Sequence, residues 1–182
     1  MIQVELSNKN SELKRSQNIL ISQLKKRVLS IEERELLSSN YNIKKFEDVI
    51  ESTRIKMGLK VYHSKQYNRK KNSNSYTVSF QTNGSTEYCE ILYFFEHKNK
   101  LFAKINVFLR IENEVWPDKI SGYFYETFKN LYNTFYSFID TGAERCRNDI
   151  ILVDQIKYKC IKINYKNNLF HITNVVYEYE HD

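Results

Sequence analysis

Apolar residues near the start of the chain recur at the spacing of an α-helix. The stripe consists of Leu13, Gln17, Leu20, Ile21, Leu24 and Val28, with lysines and arginines on the other side. Ser30 is followed three residues later by Glu33, which is the spacing of a capping box, and this predicts a second short helix from about Ile31 to Ser38. We therefore predict a helical arm over residues 1–40 whose stripe docks on the rest of the domain.

From about Phe46 the hydrophobic period changes to two, which is the period of β-strands. Met57 and Gly58 separate two short strand-like runs and predict a hairpin, and the alternation over 76–80 predicts a half-buried strand. The run 89–95, the polar turn 97–100 and the alternating run 101–111 predict an antiparallel hairpin with one wet face. Its second strand has a predicted core side, formed by Ala103, Ile105, Val107, Leu109 and Ile111, and a predicted wet side, formed by Phe102, Lys104, Asn106, Phe108 and Arg110.

Residues 119–139 contain eight tyrosines and phenylalanines, and their helical spacing predicts an aromatic helix. The aromatic rings either fill the core or, over Tyr123–Phe138, form an exposed patch that binds a protein partner or a second copy. The later runs are strand-like, with a turn at 166–168. We predict an α+β fold with a helical arm over 1–40 and a β-rich domain over 41–182, in which a bent antiparallel sheet or small barrel carries the inserted helix.

The composition fits one ordered domain and contains no signature of catalysis. The 182 residues include only four glycines and one proline, and they carry no glycine-rich phosphate loop or nucleophile motif. Cys89, Cys146 and Cys160 lack the paired spacing of a zinc site, and the four histidines lie apart. We therefore expect no catalytic residues, no metal site and no cofactor. With no apolar run of ~20 residues and no signal-peptide pattern, we expect an intracellular protein without a membrane partner.

Basic charge is concentrated between Ser52 and Thr86, where no acidic residue occurs. The window contains Arg54, Lys56, Lys60, Lys65, Arg69, Lys70 and Lys71, interleaved with Tyr62, Tyr67 and Tyr76. Lysines release counterions from phosphates and aromatic rings stack on bases, so this pattern is typical of a nucleic-acid-binding surface. The predicted contact residues are Lys60, Lys65, Arg69, Lys70, Lys71 and Tyr67, and Lys157, Lys159, Lys162 and Lys166 extend the surface. The alternative is a solvated face in a lysine-rich chain.

Two segments resemble the bromo-adjacent homology (BAH) domain. Residues 107–110 stand at the place of its WFYR-like strand, and Val153, Ile156, Lys159 and Cys160 stand at the place of its V-x-x-I-x-x-K-C strand. Over about 46–182 the chain is also similar to the C-terminal domain of uncharacterised transposase-derived proteins of the CACTA (En/Spm-like) type. This resemblance implies a BAH-like barrel, chromatin binding in the nucleus, and Phe108 and Arg110 as peptide-binding residues. It also implies that the transposase carboxylates belong to a separate upstream domain, so that this chain is a fragment or a domesticated remnant.

Together these features predict a non-enzymatic nucleic-acid or chromatin binding module derived from a mobile element. Two other classes of function stay open: a protein-interaction module that uses the aromatic patch, and an enzyme that uses Cys89 or Cys160.

Overall fold

The structure is a computed structural model and describes residues 18–21, 24–67, 76–82, 84–110, 137–140, 146–164 and 169–175. The first elements are β1 (Ile19–Leu20), β2 (Lys25–Arg27), α1 (Ile31–Tyr41), β3 (Val49–Ser52), β4 (Arg54–Met57) and β5 (Lys60–His63). The strands β6 (Thr77–Thr82), β7 (Ser85–His97), β8 (Lys100–Val107) and β9 (Leu109–Arg110) follow. The last elements are β10 (Ser137–Asp140), β11 (Arg147–Leu152), β12 (Ile156–Asn164) and β13 (Leu169–Asn174).

These strands form two antiparallel sheets. The smaller sheet has the order β1-β4-β5, and the larger one follows the order β11-β8-β7-β6-β12-β13-β10-β9, with β2 and β3 attached beside β7. Two of the predicted hairpins are confirmed: β4 and β5 meet at Gly58, whose φ is +64°, and β7 and β8 meet at Lys98 and Asn99. Glycine suits the first turn because it has no Cβ to clash at positive φ.

One face of the larger sheet packs against the smaller sheet. Ile55 and Tyr62 from β4 and β5 meet Val78, Ile91, Phe94 and Ile105 in one buried cluster. These side chains are at most 2% exposed, and the alternation within each strand directs them to the same face. Three residues predicted for the core side of β8 are buried as expected: Ala103, Ile105 and Val107.

The opposite face of the larger sheet is covered by α1. Leu29 and Leu37 pack there against Val49, Phe95, Phe102 and Ile150. The prediction of a wet face is therefore wrong for this part of the sheet, because Phe102 and Lys104 are buried. Thr77 and Ser79 on β6 are buried as well, but they lie opposite Glu90 and Tyr88, outside the cluster under α1. A sheet covered on both faces buries both sets of alternating positions, whatever their polarity.

The alternation on β8 ends at Phe108, which lies outside both β8 and β9. Leu109 was predicted to face the core and is 42% exposed, whereas Phe108 was predicted to be wet and is 5% exposed. The strand is interrupted at Phe108, so the alternation of side chains between the two faces does not continue from β8 into β9. A shift of one residue moves a side chain to the opposite face of a sheet. Ile111 lies outside the described residues.

The helical arm predicted over residues 1–40 is not confirmed as a whole: its second helix is present, but 19–20 and 25–27 of the predicted first helix are strands. Helix α1 begins after Ser30, and both bonds of the capping box are present: Glu33 N–H donates to Ser30 Oγ, and Ser30 N–H donates to the Glu33 carboxylate. Residues 19–20 and 25–27 instead form β1 and β2. They pair with β4 and β3, which lie later in the sequence, so tertiary pairing overrides the helical spacing. Residues 1–17 lie outside the described part.

The predicted aromatic helix over 119–139 falls almost entirely outside the described residues. Its last residues, 137–139, belong to β10 and pair with β13, so the prediction of a helix is wrong for these three. The predicted strands after residue 146 are confirmed as β11, β12 and β13. The turn predicted at 166–168 is outside the described part.

The described residues thus form an α+β fold of open antiparallel sheets with one α-helix. A closed BAH-like barrel is not confirmed. The strand path nevertheless ends close to its start, because β9 follows β8 after Phe108 alone. None of the described helices is long and apolar enough to cross a membrane.

Candidate nucleic-acid interface

The outer face of the smaller sheet brings basic residues together. The strand register places Arg54 opposite His63, and it places Lys56 opposite both Val61 and Ile19. Residues that face each other across a ladder lie on the same side of a sheet. Because Ile55 and Tyr62 point into the core, this set points away from it. Lys56 is exposed, and Arg54 and His63 are half-buried.

Tyr67 adds an aromatic ring to this face. Its ring centroid lies 4.5 Å from that of His63, with an angle of 31° between the ring planes. The guanidinium carbon of Arg54 lies 5.1 Å from the centroid of the Tyr67 ring, which is the distance of a cation–π contact. Arg54, His63 and Tyr67 therefore form one contiguous basic and aromatic group, which we call the Tyr67 cluster.

The smaller sheet carries no acidic residue. Its three strands, Ile19–Leu20, Arg54–Met57 and Lys60–His63, contain neither Asp nor Glu. Elsewhere in the described chain, basic residues form ion pairs with carboxylates, as Lys26 does with Asp48 and Arg147 with Glu87. The positive charge of this face is therefore not neutralised within its own sheet.

Two other predicted contact residues, Lys60 and Lys159, lie on the core side of the smaller sheet rather than on its outer face. Lys60 is opposite Met57 at the end of the hairpin and is half-buried. The ammonium group of Lys159 lies 5.3 Å from the centroid of the buried Tyr62 ring, on the side where the two sheets meet. Lys157 is exposed. Of the second lysine strip, Lys159 therefore lies beside the smaller sheet.

Lys65 forms an ion pair with a buried carboxylate. Its ammonium group donates to Glu90 at 2.8 Å, and Lys162 donates to the other carboxylate oxygen of Glu90 at 3.0 Å. The Glu90 side chain is 5% exposed and that of Lys65 is 54% exposed. Burial alone would raise the pKa of Glu90, but the hydrogen bonds from Lys65 and Lys162 outweigh it and lower that pKa. The same bond raises the pKa of Lys65.

Lys162 is held further by two aromatic rings. Its ammonium group lies 4.2 Å from the ring centroid of Phe170 and 5.3 Å from that of Phe108. Phe108 in turn packs edge-on against Phe170 within a buried cluster. The Phe108 ring is thus part of the core, and little of it is available to a peptide. Of Arg110, the second predicted peptide-binding residue, only the backbone position in β9 is described.

Three predicted contact residues, Arg69, Lys70 and Lys71, lie outside the described residues, as does Lys166. The patch over Tyr123–Phe138 also lies outside, apart from the backbone of the last two residues in β10. Sequence reasoning did not single out Arg54, Lys56 or His63 as contact residues. The alternation of β4 and β5 could have identified them, because Ile55 and Tyr62 mark the core side and leave 54, 56 and 63 on the other.

The thiols show no catalytic arrangement among the described residues. Cys89 is fully buried, and burial raises the pKa of its thiol well above the ordinary value, which keeps it protonated and unreactive. Cys160 is 3% exposed, and its thiol donates to the Asn174 side-chain oxygen at 3.3 Å. The described part of the chain contains no group of three His, Cys, Asp or Glu side chains that could hold a metal ion.

No protein-family model, no curated protein and no solved structure matches this chain.

Proposed function

We propose that this chain is a non-enzymatic module that binds the phosphate backbone of nucleic acids. The observation that carries the proposal is the outer face of the β1-β4-β5 sheet, where Arg54 and Lys56 lie beside the Tyr67 cluster on strands without an acidic residue. The resemblance to BAH and CACTA-type domains supports a chromatin setting and an origin in a mobile element.

The charge of this face suits phosphates for a physical reason. Each lysine or arginine that contacts a phosphate releases a condensed counterion, and this release provides most of the affinity of nonspecific binding. Exposed Lys56 contributes a mobile point charge. Arg54 is oriented by its contact with the Tyr67 ring, so less side-chain freedom is lost on binding.

Lys65 contributes less to this function than its sequence context suggests. Glu90 already compensates part of its charge, and Glu90 is shared with Lys162. The cluster of two lysines and one glutamate retains a net charge of one, with Lys65 as its more exposed member. We therefore assign the principal described contacts to Arg54 and Lys56 and a secondary one to Lys65.

The test is a titration of a short DNA duplex at two salt concentrations. For each phosphate contact, log K should fall with log salt at a slope of ~0.9 on a duplex and ~0.7 on a single strand. The double variant Arg54→Gln/Lys56→Gln should lower the duplex slope by ~1.8, and Lys56→Gln alone by ~0.9. The matched control is Lys44→Gln/Lys45→Gln, because both lysines are exposed in the segment that follows α1, on the other side of the larger sheet.

A third variant tests the predicted contacts that follow β5. Changing Lys65, Arg69, Lys70 and Lys71 to Ala should lower the slope by up to ~3–4. Circular dichroism shows whether each variant keeps its fold. The proposal is wrong if the wild type does not bind at low salt, or if the control variant lowers the slope as much as the Arg54 and Lys56 variants.

A further inference from the structure

A groove opens where the edge of the smaller sheet meets the turn end of the larger one. Its volume is about 740 Å³, within the range of ~300–1,000 Å³ that is usual for small-molecule sites. It lies between β1 and the β7–β8 turn, and it includes none of the residues of the Tyr67 cluster. At its opening, Ile19 borders the outer face of the smaller sheet, where it lies opposite Lys56.

The walls of the groove are largely aliphatic. Leu20, Leu101 and Leu152 are half-buried and form its inner part. Three exposed aliphatic side chains stand around its opening: Ile19 at 53%, Leu24 at 61% and Ile50 at 44% exposure. Such an apolar lining favours a ligand whose body can displace water from it.

Glu96 introduces a negative charge into this apolar surface. The register places it between Ile50 on β3 and Leu101 on β8, so the three side chains form a row on one face of the sheet. Glu96 is half-buried and has no hydrogen-bond or ion-pair partner within the described part of the chain. A partly desolvated carboxylate without a partner is stabilised by an incoming cation.

The other polar groups of the groove leave its charge negative. Asp154 accepts a hydrogen bond of 2.7 Å from the Asn18 side-chain amide and fixes the β1 side of the wall. Lys100 is exposed at the end of the turn and is the one basic residue that lines the groove among the described residues. Two carboxylates against one ammonium group favour a cationic ligand over an anionic one.

We propose that this groove binds small amphipathic amines, with the ammonium group on Glu96 and the aliphatic body against Leu20, Leu101 and Ile50. The ion pair would satisfy the unpartnered carboxylate, and the alkyl chain would cover the exposed aliphatic side chains. The ammonium-binding residue Glu96 lies on the larger sheet, whereas Arg54 and Lys56 of the phosphate-binding face lie on the smaller one.

The experiment compares three eight-carbon probes of different head group by amide chemical-shift titration. We expect n-octylamine to bind with shifts centred on Glu96, Ile50 and Leu101, 1-octanol to bind roughly tenfold more weakly, and octanoate not to bind. Glu96→Gln keeps the size of the side chain and should abolish the difference between amine and alcohol. Ile50→Ser should weaken amine and alcohol alike, because it removes apolar wall without touching the charge.

Glu35→Gln is the control, since Glu35 is an exposed glutamate on α1 outside the groove. It should leave all three affinities unchanged. The proposal is overturned if amine and alcohol bind the wild type equally, if Glu96→Gln leaves the preference for the amine intact, or if the amine binds only outside the groove. Absence of octylamine binding up to ~10 mM would also overturn it, since that limit lies beyond the ~1 mM affinity of a weak specific site.

Discussion

Lys104 is a charged residue on the covered side of the larger sheet. Its side chain is 4% exposed, and its ammonium group donates to Glu32 of α1 at 3.0 Å, where the glutamate is 55% exposed. The aliphatic stem fills space between the sheet and the helix, and the charge reaches a partner at the solvent boundary. Lys104 therefore contributes to stability chiefly through packing.

We expect Lys104→Ala to destabilise the protein by about 2 kcal/mol and Lys104→Met by less than about 1 kcal/mol. Alanine removes the packed stem, whereas methionine retains its volume and removes only an ion pair whose partner is half in water. Urea unfolding followed by circular dichroism measures both values. Equal destabilisation by Ala and Met would show that the charge, rather than the stem, is the important part.

Val107→Asp, on the other face, should unfold the domain, because Val107 is 1% exposed among apolar groups.

Glu33 is a buried carboxylate whose charge is strongly stabilised. Arg27 donates to both of its oxygens, at 2.7 and 2.8 Å, and the hydroxyl of Tyr93 and the backbone of Ser30 donate as well. Burial alone would raise the pKa of Glu33, but these hydrogen bonds outweigh it and lower the pKa from 4.5 to about 2.

A pKa that is lower in the folded than in the unfolded state predicts loss of stability in acid. The contribution of Glu33 is complete above about pH 5 and disappears as the pH falls towards 2, and it amounts to at most about 3 kcal/mol. Glu33→Gln keeps the helix cap, since glutamine also serves at this position. Its free energy of unfolding should fall less steeply than that of the wild type between pH 5 and 2. Parallel pH profiles for the two proteins would contradict this assignment.

At the scale of elements, α1 is defined by its ends. Ser30 caps its first turn, and Asn42 closes it in the left-handed conformation with φ of 54°, where its N–H donates to Leu37 and Ser38. Asparagine tolerates this conformation better than most residues. The helix is thus bounded by local side-chain chemistry, while Leu37 attaches it to the sheet.

We expect Ser30→Ala to lower the free energy of unfolding by about 1 kcal/mol, because it leaves the N–H of Glu33 without its acceptor. Ser38→Ala is the matched control. Ser38 is exposed inside the same helix, where alanine has the higher helix propensity, so this change should be neutral or slightly stabilising. Thermal unfolding of both variants checks the difference. If the two substitutions shifted the melting temperature equally, the cap would have no special role.

At the scale of the whole molecule, the larger sheet is shared by two cores. Leu37 lies in the core under α1 and Ile55 in the core under the smaller sheet, and both are fully buried. Strands β7, β8 and β11 contribute residues to both cores, for example Phe94 to one and Phe95 to the other. Loss of packing on one side therefore weakens strands on which the other side depends.

This arrangement predicts one cooperative unfolding transition. Leu37→Ala and Ile55→Ala should each cost about 2–5 kcal/mol, and the double variant should still unfold in a single step. Far-ultraviolet circular dichroism and native-state hydrogen exchange of α1 and β4 measure this. Separate transitions for α1 and for the smaller sheet, with different midpoints, would show that the two cores are independent.

The sequence by itself determined those features that depend on neighbouring residues. Ser30 and Glu33 predicted the start of α1 because a cap is made within one turn, and Met57-Gly58 predicted a hairpin because a turn needs its own backbone conformation. The alternation from Ala103 to Val107 predicted the inner face of β8. The basic window around Arg54 and Lys65 was also visible, since charge is a property of composition.

Only the tertiary structure decided the features that depend on distant partners. Residues 19–20 and 25–27 have helical spacing, but they become strands because β4 and β3 offer backbone hydrogen bonds across a long stretch of sequence. The same holds for the pairing of Lys65 and Lys162 with Glu90, whose members are far apart along the chain. Alternation shows that a strand has two sides, but it cannot show that α1 covers the second one. The burial of Phe102 and Lys104 therefore followed from packing, because burial depends on what lies above a face rather than on the residues within it.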